Sequence, residues 1–166
     1  MSKQILAVFI GLACAGVVGK ARSDAREERD SVPRAERSAD ANGHAIPIDT
    51  RVRRNRNGHF YVTALVNGQP VRFLVDTGAT SVALTIEDAR RAGVRFDPAS
   101  FQVIGQGAAG PVRGQQLHLS SVELDGKERL HVRAAVLEGA DVSLLGQSYL
   151  SRLNSVQMQG DQMVLR

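Results

Sequence analysis

Tryptophan is absent from the 166 residues, and aromatic residues make up only 4%. Stacking platforms for single-stranded nucleic acid are therefore poorly supplied. A single cysteine, Cys14, excludes an intrachain disulfide framework and a zinc site built on several thiolates. A one-signed charge excess is also missing where it would matter. The formal net charge is +4, but residues 1–59 hold eleven Lys/Arg against seven Asp/Glu and residues 60–166 hold ten of each. The basicity belongs to the N-terminal stretch, which argues against a nucleic-acid surface on a folded domain. No internal repeat and no low-complexity tract interrupts the chain. What is present is an ordinary globular balance, 43% hydrophobic and 23% charged. That length suits one domain with appendages.

The chain divides into three stretches. Residues 1–19 are expected to be a signal peptide or membrane anchor: Lys3 precedes the uncharged run Ile5–Gly19, and Ala13-Cys14-Ala15 offers an A-x-A cleavage site. At 15 residues the run is short of the roughly 20 that cross a bilayer. Residues 20–57 alternate Arg with Asp/Glu, Ala and Ser without an apolar stripe. They are expected to form a flexible charged linker ending in the basic cluster Arg51–Arg56, a solubilising arm. Residues 58–166 read as the domain.

Within it, Phe60–Val66 and Val71–Val75 are enriched in β-branched and aromatic residues and flank an Asn67-Gly68 hairpin turn. Ser81–Leu84 continues the strands. Thr85 then opens a short helix as N-cap with Asp88 at N3, and Gly93 closes it. Strands are expected at Gln116–Leu119, Val122–Leu124, Leu130–Leu137, Val156–Met158 and Met163–Leu165, with a second short helix over Gln147–Leu153. Many short strands and two helical pieces give an all-β fold class, a barrel or sandwich.

The strongest local signal is Phe73-Leu74-Val75-Asp76-Thr77-Gly78-Ala79-Thr80. An apolar strand ends in a carboxylate, which is costly at a buried strand end unless it is hydrogen-bonded or used chemically. Glycine two residues later lets a backbone N–H approach that carboxylate. Other chemistries are poorly supported. Gly105-Gln106-Gly107-Ala108-Ala109-Gly110 matches G-x-G-x-x-G, but Pro111 follows at once and no helix develops to receive a pyrophosphate. The four histidines lack ligand spacing, so no metal is expected. Neither Ser81 nor Ser143 sits in a G-x-S-x-G elbow.

The Asp76-Thr77-Gly78-Ala79 run resembles the active-site loop of retropepsin-like aspartic proteases, and Leu144-Leu145-Gly146 resembles the later apolar-apolar-Gly element of that family, 70 residues downstream. Gly58-His59-Phe60, Asn67-Gly68 and the Leu144–Leu150 run are similar to a bacterial, membrane-linked, single-lobe branch. The resemblance covers 59–166. It implies a closed single-lobe β-barrel, with Asp76 as catalytic carboxylate and Thr77, Gly78 and Ala79 completing its loop. Leu144, Leu145 and Gly146 would support that loop. A flap would fall within 94–114, with Gly105, Gln106, Gly107 and Ala108 over the substrate, although no Tyr or Trp occurs there.

The implied activity is endopeptidase cleavage of a protein or peptide substrate without cofactor or metal. A shared-proton pair of carboxylates activates water in that mechanism, and one D-T-G per chain implies a homodimer. Ala79, lacking a hydroxyl for the carboxylate, implies a less acid optimum than that of relatives with Ser or Thr there. The end strand around Met163–Arg166 is expected to need a partner chain along its edge. The expected location is exported, in the periplasm or on the inner membrane through the N-terminal segment. A proteolytically inactive peptide-binding or assembly module on the same barrel is the alternative.

Overall fold

In a computed structural model, residues 46–107 and 110–166 are described. The proposed leader at 1–19 and most of the proposed linker lie outside them. Strand β2 (Tyr61–Val66) turns through Asn67 and Gly68, both at positive φ, into antiparallel β3 (Gln69–Val75). β4 (Val82–Thr85) leads into α1 (Ile86–Arg91), and a 3₁₀ turn (Pro98–Ser100) precedes β5 (Gln102–Gly107). The long β6 (Gly110–Leu124) and β7 (Lys127–Leu137) form a hairpin. β8 (Ser143–Leu145), α2 (Gln147–Leu150), β9 (Val156–Gln159) and β10 (Gln162–Leu165) complete the chain after a short first strand, β1 (Thr50–Arg53).

Strand order β2-β3-β8-β4-β7-β6 closes on itself because β6 also pairs with β2, giving a six-stranded barrel with β5 appended to β6. The fold is retropepsin-like, mainly β with two short helices. Phe60, Val62, Ala64 and Val66 alternate inward with Val71, Phe73 and Val75, joined by Leu84, Leu119, Val132, Leu145 and Tyr149 in one core. A second, smaller apolar cluster of Ala79, Ala83, Ala135, Leu137 and Leu144 lies apart from it. β4, β8 and the end of β7 contribute to both clusters. Buried on both faces, these strands read as unbroken apolar runs rather than alternations.

Two expectations need correction. The linker does not extend to residue 57, because Thr50–Arg53 pairs with Leu165–Gln162 as an ordered strand. Thr50 is buried, its hydroxyl bonded to the Asp125 carboxylate and to Lys127 Nζ, so side-chain bonds reinforce the ladder. Nor does the C-terminal strand lack a partner: β10 lies between β1 and β9 of its own chain. Three smaller differences follow. The strands expected at 116–119 and 122–124 are one continuous strand, β7 begins at Lys127, and α2 ends at Leu150. α1 has the expected caps, with Thr85 Oγ1 accepting the Asp88 N–H at 3.0 Å and Gly93 at φ +65°.

Candidate active site

β3 and β8 run parallel, with Val75 opposite Leu145. The residues that follow each strand therefore leave the barrel side by side, which brings Asp76 next to Gly146. The Asp76 N–H extends the ladder to the Leu145 carbonyl at 3.1 Å. The chain then turns back on itself. The Gly78 N–H donates to Asp76 Oδ1 at 2.9 Å, and the Ala79 N–H donates to the Asp76 carbonyl at 3.3 Å. Asp76 is half-buried, Thr77 and Gly78 are exposed, and Ala79 is buried in the second apolar cluster. The result is a carboxylate held at a strand end, oriented by a backbone donor and still open to solvent.

Gly146 and the two residues after it clasp this loop. A Cβ at position 146 would lie 2.3 Å from the Ser81 carbonyl oxygen and 2.8 Å from that of Ala79. Both neighbours are backbone and cannot swing aside, so only glycine permits the approach. Beyond it, the Gln147 N–H donates to the Ala79 carbonyl at 2.8 Å and the Ser148 N–H to the Thr80 carbonyl at 3.1 Å. The Gln147 side-chain amide reaches the Thr77 carbonyl at 2.8 Å. Ser148 Oγ accepts the Val82 N–H at 2.9 Å and donates to the Arg133 carbonyl at 2.7 Å. The arrangement thus joins Asp76, Thr77, Gly78 and Ala79 to Leu144, Leu145 and Gly146. Leu144 enters the small cluster beside Ala79, and Leu145 enters the main core. Gln147 and Ser148 were not singled out by sequence reasoning. A polar pair after a glycine is unremarkable until the segment it grips, 70 residues upstream, is known.

Gly105, Gln106 and Gly107 lie on the β5–β6 hairpin, where Gly107 pairs with Gly110 near the tip. Ala108 and Ala109 fall outside the described residues. The G-x-G-x-x-G run is therefore part of a hairpin, not a strand-to-helix turn. Side chains nearer the hairpin's base meet the candidate site, since Ile104 and Val112 pack against the cluster containing Ala79 and Leu144. At the root, a Cβ on Gly114 would lie 2.3 Å from the Val136 carbonyl oxygen, so glycine is required where β6 joins β7. Among the described residues, no group of three or more His, Cys, Asp or Glu side chains could hold a metal ion.

A family model described as "gag-polyprotein putative aspartyl protease" matches residues 62–152, more than half of the chain. The chain belongs to the retropepsin-like aspartic protease family. A crystal structure of a retropepsin-like aspartic protease from Rickettsia conorii superposes with a TM-score of 0.60 at 36% identity, covering 71% of this chain and 89% of that one. An uncharacterized Sinorhizobium protein is 38% identical over 117 residues, 66% of this chain and 48% of the relative. An uncharacterized protein of Rickettsia prowazekii is 35% identical over 115 residues, 69% of this chain and 49% of the relative. The chain spans about half the length of these two curated relatives. The matched segment of this retropepsin-like chain includes both the Asp76 loop and the Gly146 clasp.

Proposed function

We propose that this retropepsin-like protein is an aspartic endopeptidase, active as a homodimer in which Asp76 and its symmetry mate share a proton. The observation that carries the reading is the half-buried Asp76 carboxylate, oriented by the Gly78 N–H in a loop clasped by Gly146–Ser148. One carboxylate of the pair takes a proton from a bound water, and the other gives a proton to the scissile carbonyl oxygen as the water attacks. No covalent enzyme intermediate forms. An isologous two-fold interface supplies the second carboxylate because it repeats each residue across the axis. The β5–β6 hairpin closes over an extended peptide, and the small apolar cluster beneath Ile104 and Val112 lines the cleft floor. The N-terminal apolar run directs the chain to the periplasm or holds it on the inner membrane.

The test is hydrolysis of a peptide library between pH 4 and 7 by the full chain and by Asp76→Asn. The substitution is expected to lower turnover by at least about a hundredfold, the scale of lost general acid–base catalysis. Its melting temperature should stay within a few degrees of wild type, because the site is solvent-accessible and adds little packing. Equal hydrolysis by the two proteins would refute the assignment. Saturable peptide binding without cleavage in either protein would instead support a proteolytically inactive binding module.

A further inference from the structure

The peptide unit between Thr77 and Gly78 is gripped at both ends. Its N–H, from Gly78, donates to Asp76 Oδ1 at 2.9 Å, and its C=O, from Thr77, accepts the Gln147 side-chain amide at 2.8 Å. A trans peptide is planar and directs its N–H and C=O oppositely, so fixing one end aims the other. Among the described residues, no backbone N–H reaches the Thr77 carbonyl. Gln147 is itself held in place. Its own N–H is bonded to the Ala79 carbonyl, and Gly146 lies against the backbone of Ala79 and Ser81.

We propose that Gln147 is a positioning residue of the site, orienting the Thr77–Gly78 peptide so that the Gly78 N–H stays on the Asp76 carboxylate. It does not touch the reacting atoms. A donor on the carbonyl of an amide also polarises its N–H, so the two hydrogen bonds strengthen each other along the chain Gln147–peptide–Asp76. Without the side-chain amide the peptide can rock about its exposed Thr77 and Gly78, and the carboxylate loses its oriented donor. The inference rests on the reading of Asp76 as the catalytic carboxylate.

The test uses the full chain with Gln147→Met, similar in length but without a donor, and Gln147→Glu, whose ionised form sets a carboxylate against the Thr77 carbonyl. Two readouts are taken: the Gly78 amide proton signal in nitrogen-15-labelled protein, and steady-state kinetics on a peptide substrate. In Gln147→Met the Gly78 signal should move upfield and its solvent exchange should accelerate. The kcat should fall about tenfold while KM changes less than about twofold. In Gln147→Glu both effects should be larger. If one variant fails to fold, the other decides. An unmoved Gly78 signal, or a loss appearing in KM and melting temperature with kcat intact, would overturn the proposal. Should wild type cleave no peptide, the protease reading fails, and the Gly78 signal alone decides whether Gln147 orients this peptide.

Discussion

Individual residues are constrained by close approach and by hydrogen bonding: among the described residues no buried polar side-chain atom lacks a partner. Gly146 is the sharpest case, because any larger residue meets two backbone carbonyls. Gly146→Ala is expected to cost about 1–3 kcal/mol through forced backbone shifts. It should reduce peptide hydrolysis roughly a hundredfold, the usual penalty for an ångström of misplacement at a reacting centre. Urea unfolding and initial rates measure the two effects separately. Ser143 is a quieter case. Its buried Oγ accepts the Thr85 N–H at 3.1 Å and donates to Asp88 Oδ2 at 2.6 Å, relaying between the two ends of the α1 cap. The Thr85/Asp88 spacing predicts a reciprocal capping box, but Asp88 reaches the Thr85 N–H only through this distant serine. Ser143→Ala leaves a buried N–H unpaired and should lower unfolding free energy by about 1–3 kcal/mol with the site intact. The D-T-G-A run was legible at this scale because its residues are contiguous. The roles of Ser143 and Gln147 were not, because each depends on a contact far away in sequence.

At the scale of elements, regular patterning was readable and its interruptions were not. The β6–β7 hairpin changes face midway. Inward positions step by three from Leu119 to Val122, whose cross-strand partners Val132 and Arg129 are likewise three apart, with His131 at φ +50° between. Period-two reading breaks there, which is why β6 looked like two strands. β1 was missed because Arg51-Val52-Arg53 offers a single apolar residue. Its hold comes from Lys127, only 3% exposed, whose Nζ bonds the Ile48 carbonyl and Thr50 Oγ1. Burial pushes this ammonium below its ordinary 10.5, opposed by Asp125 and Asp49. A chain beginning at Gly43 keeps these acceptors and should melt like the full chain. A chain beginning at Arg54 loses the β1–β10 ladder, the packing of Val52 and both Lys127 acceptors, and should melt lower than the full chain. Thermal denaturation distinguishes the two.

Tyr149 joins α2 to the same place, donating its hydroxyl to the Lys127 carbonyl at 2.6 Å, and burial holds its phenol well above the ordinary 10.0. As pH rises past 10.0 the unfolded phenol ionises while the folded one stays protonated, so stability falls. Tyr149→Phe should cost about 1 kcal/mol at neutral pH through the lost hydroxyl–carbonyl hydrogen bond. Its deficit against wild type should shrink as pH climbs past 10.0. Urea midpoints across that range report the difference.

For the whole molecule, the closed barrel solves a spatial problem that the linear chain hides. Parallel pairing of β3 with β8 sets side by side two loops 70 residues apart, and the β2–β6 pairing fixes the ring around them. A reader of the sequence meets both loops as motifs and can name the family, but their register appears only in the sheet. In the proposed mechanism the second carboxylate comes from another chain, since D-T-G occurs once. β10 is satisfied on both sides by β1 and β9, and among the described residues these two form the edges of that small sheet. The most direct test of the central claim follows specific activity through serial dilution, with sedimentation velocity run at matching concentrations. Activity per chain should fall in step with the dimer fraction, and added excess Asp76→Asn should suppress it through mixed dimers. Constant activity per chain at concentrations where only monomer sediments would contradict the paired-carboxylate account.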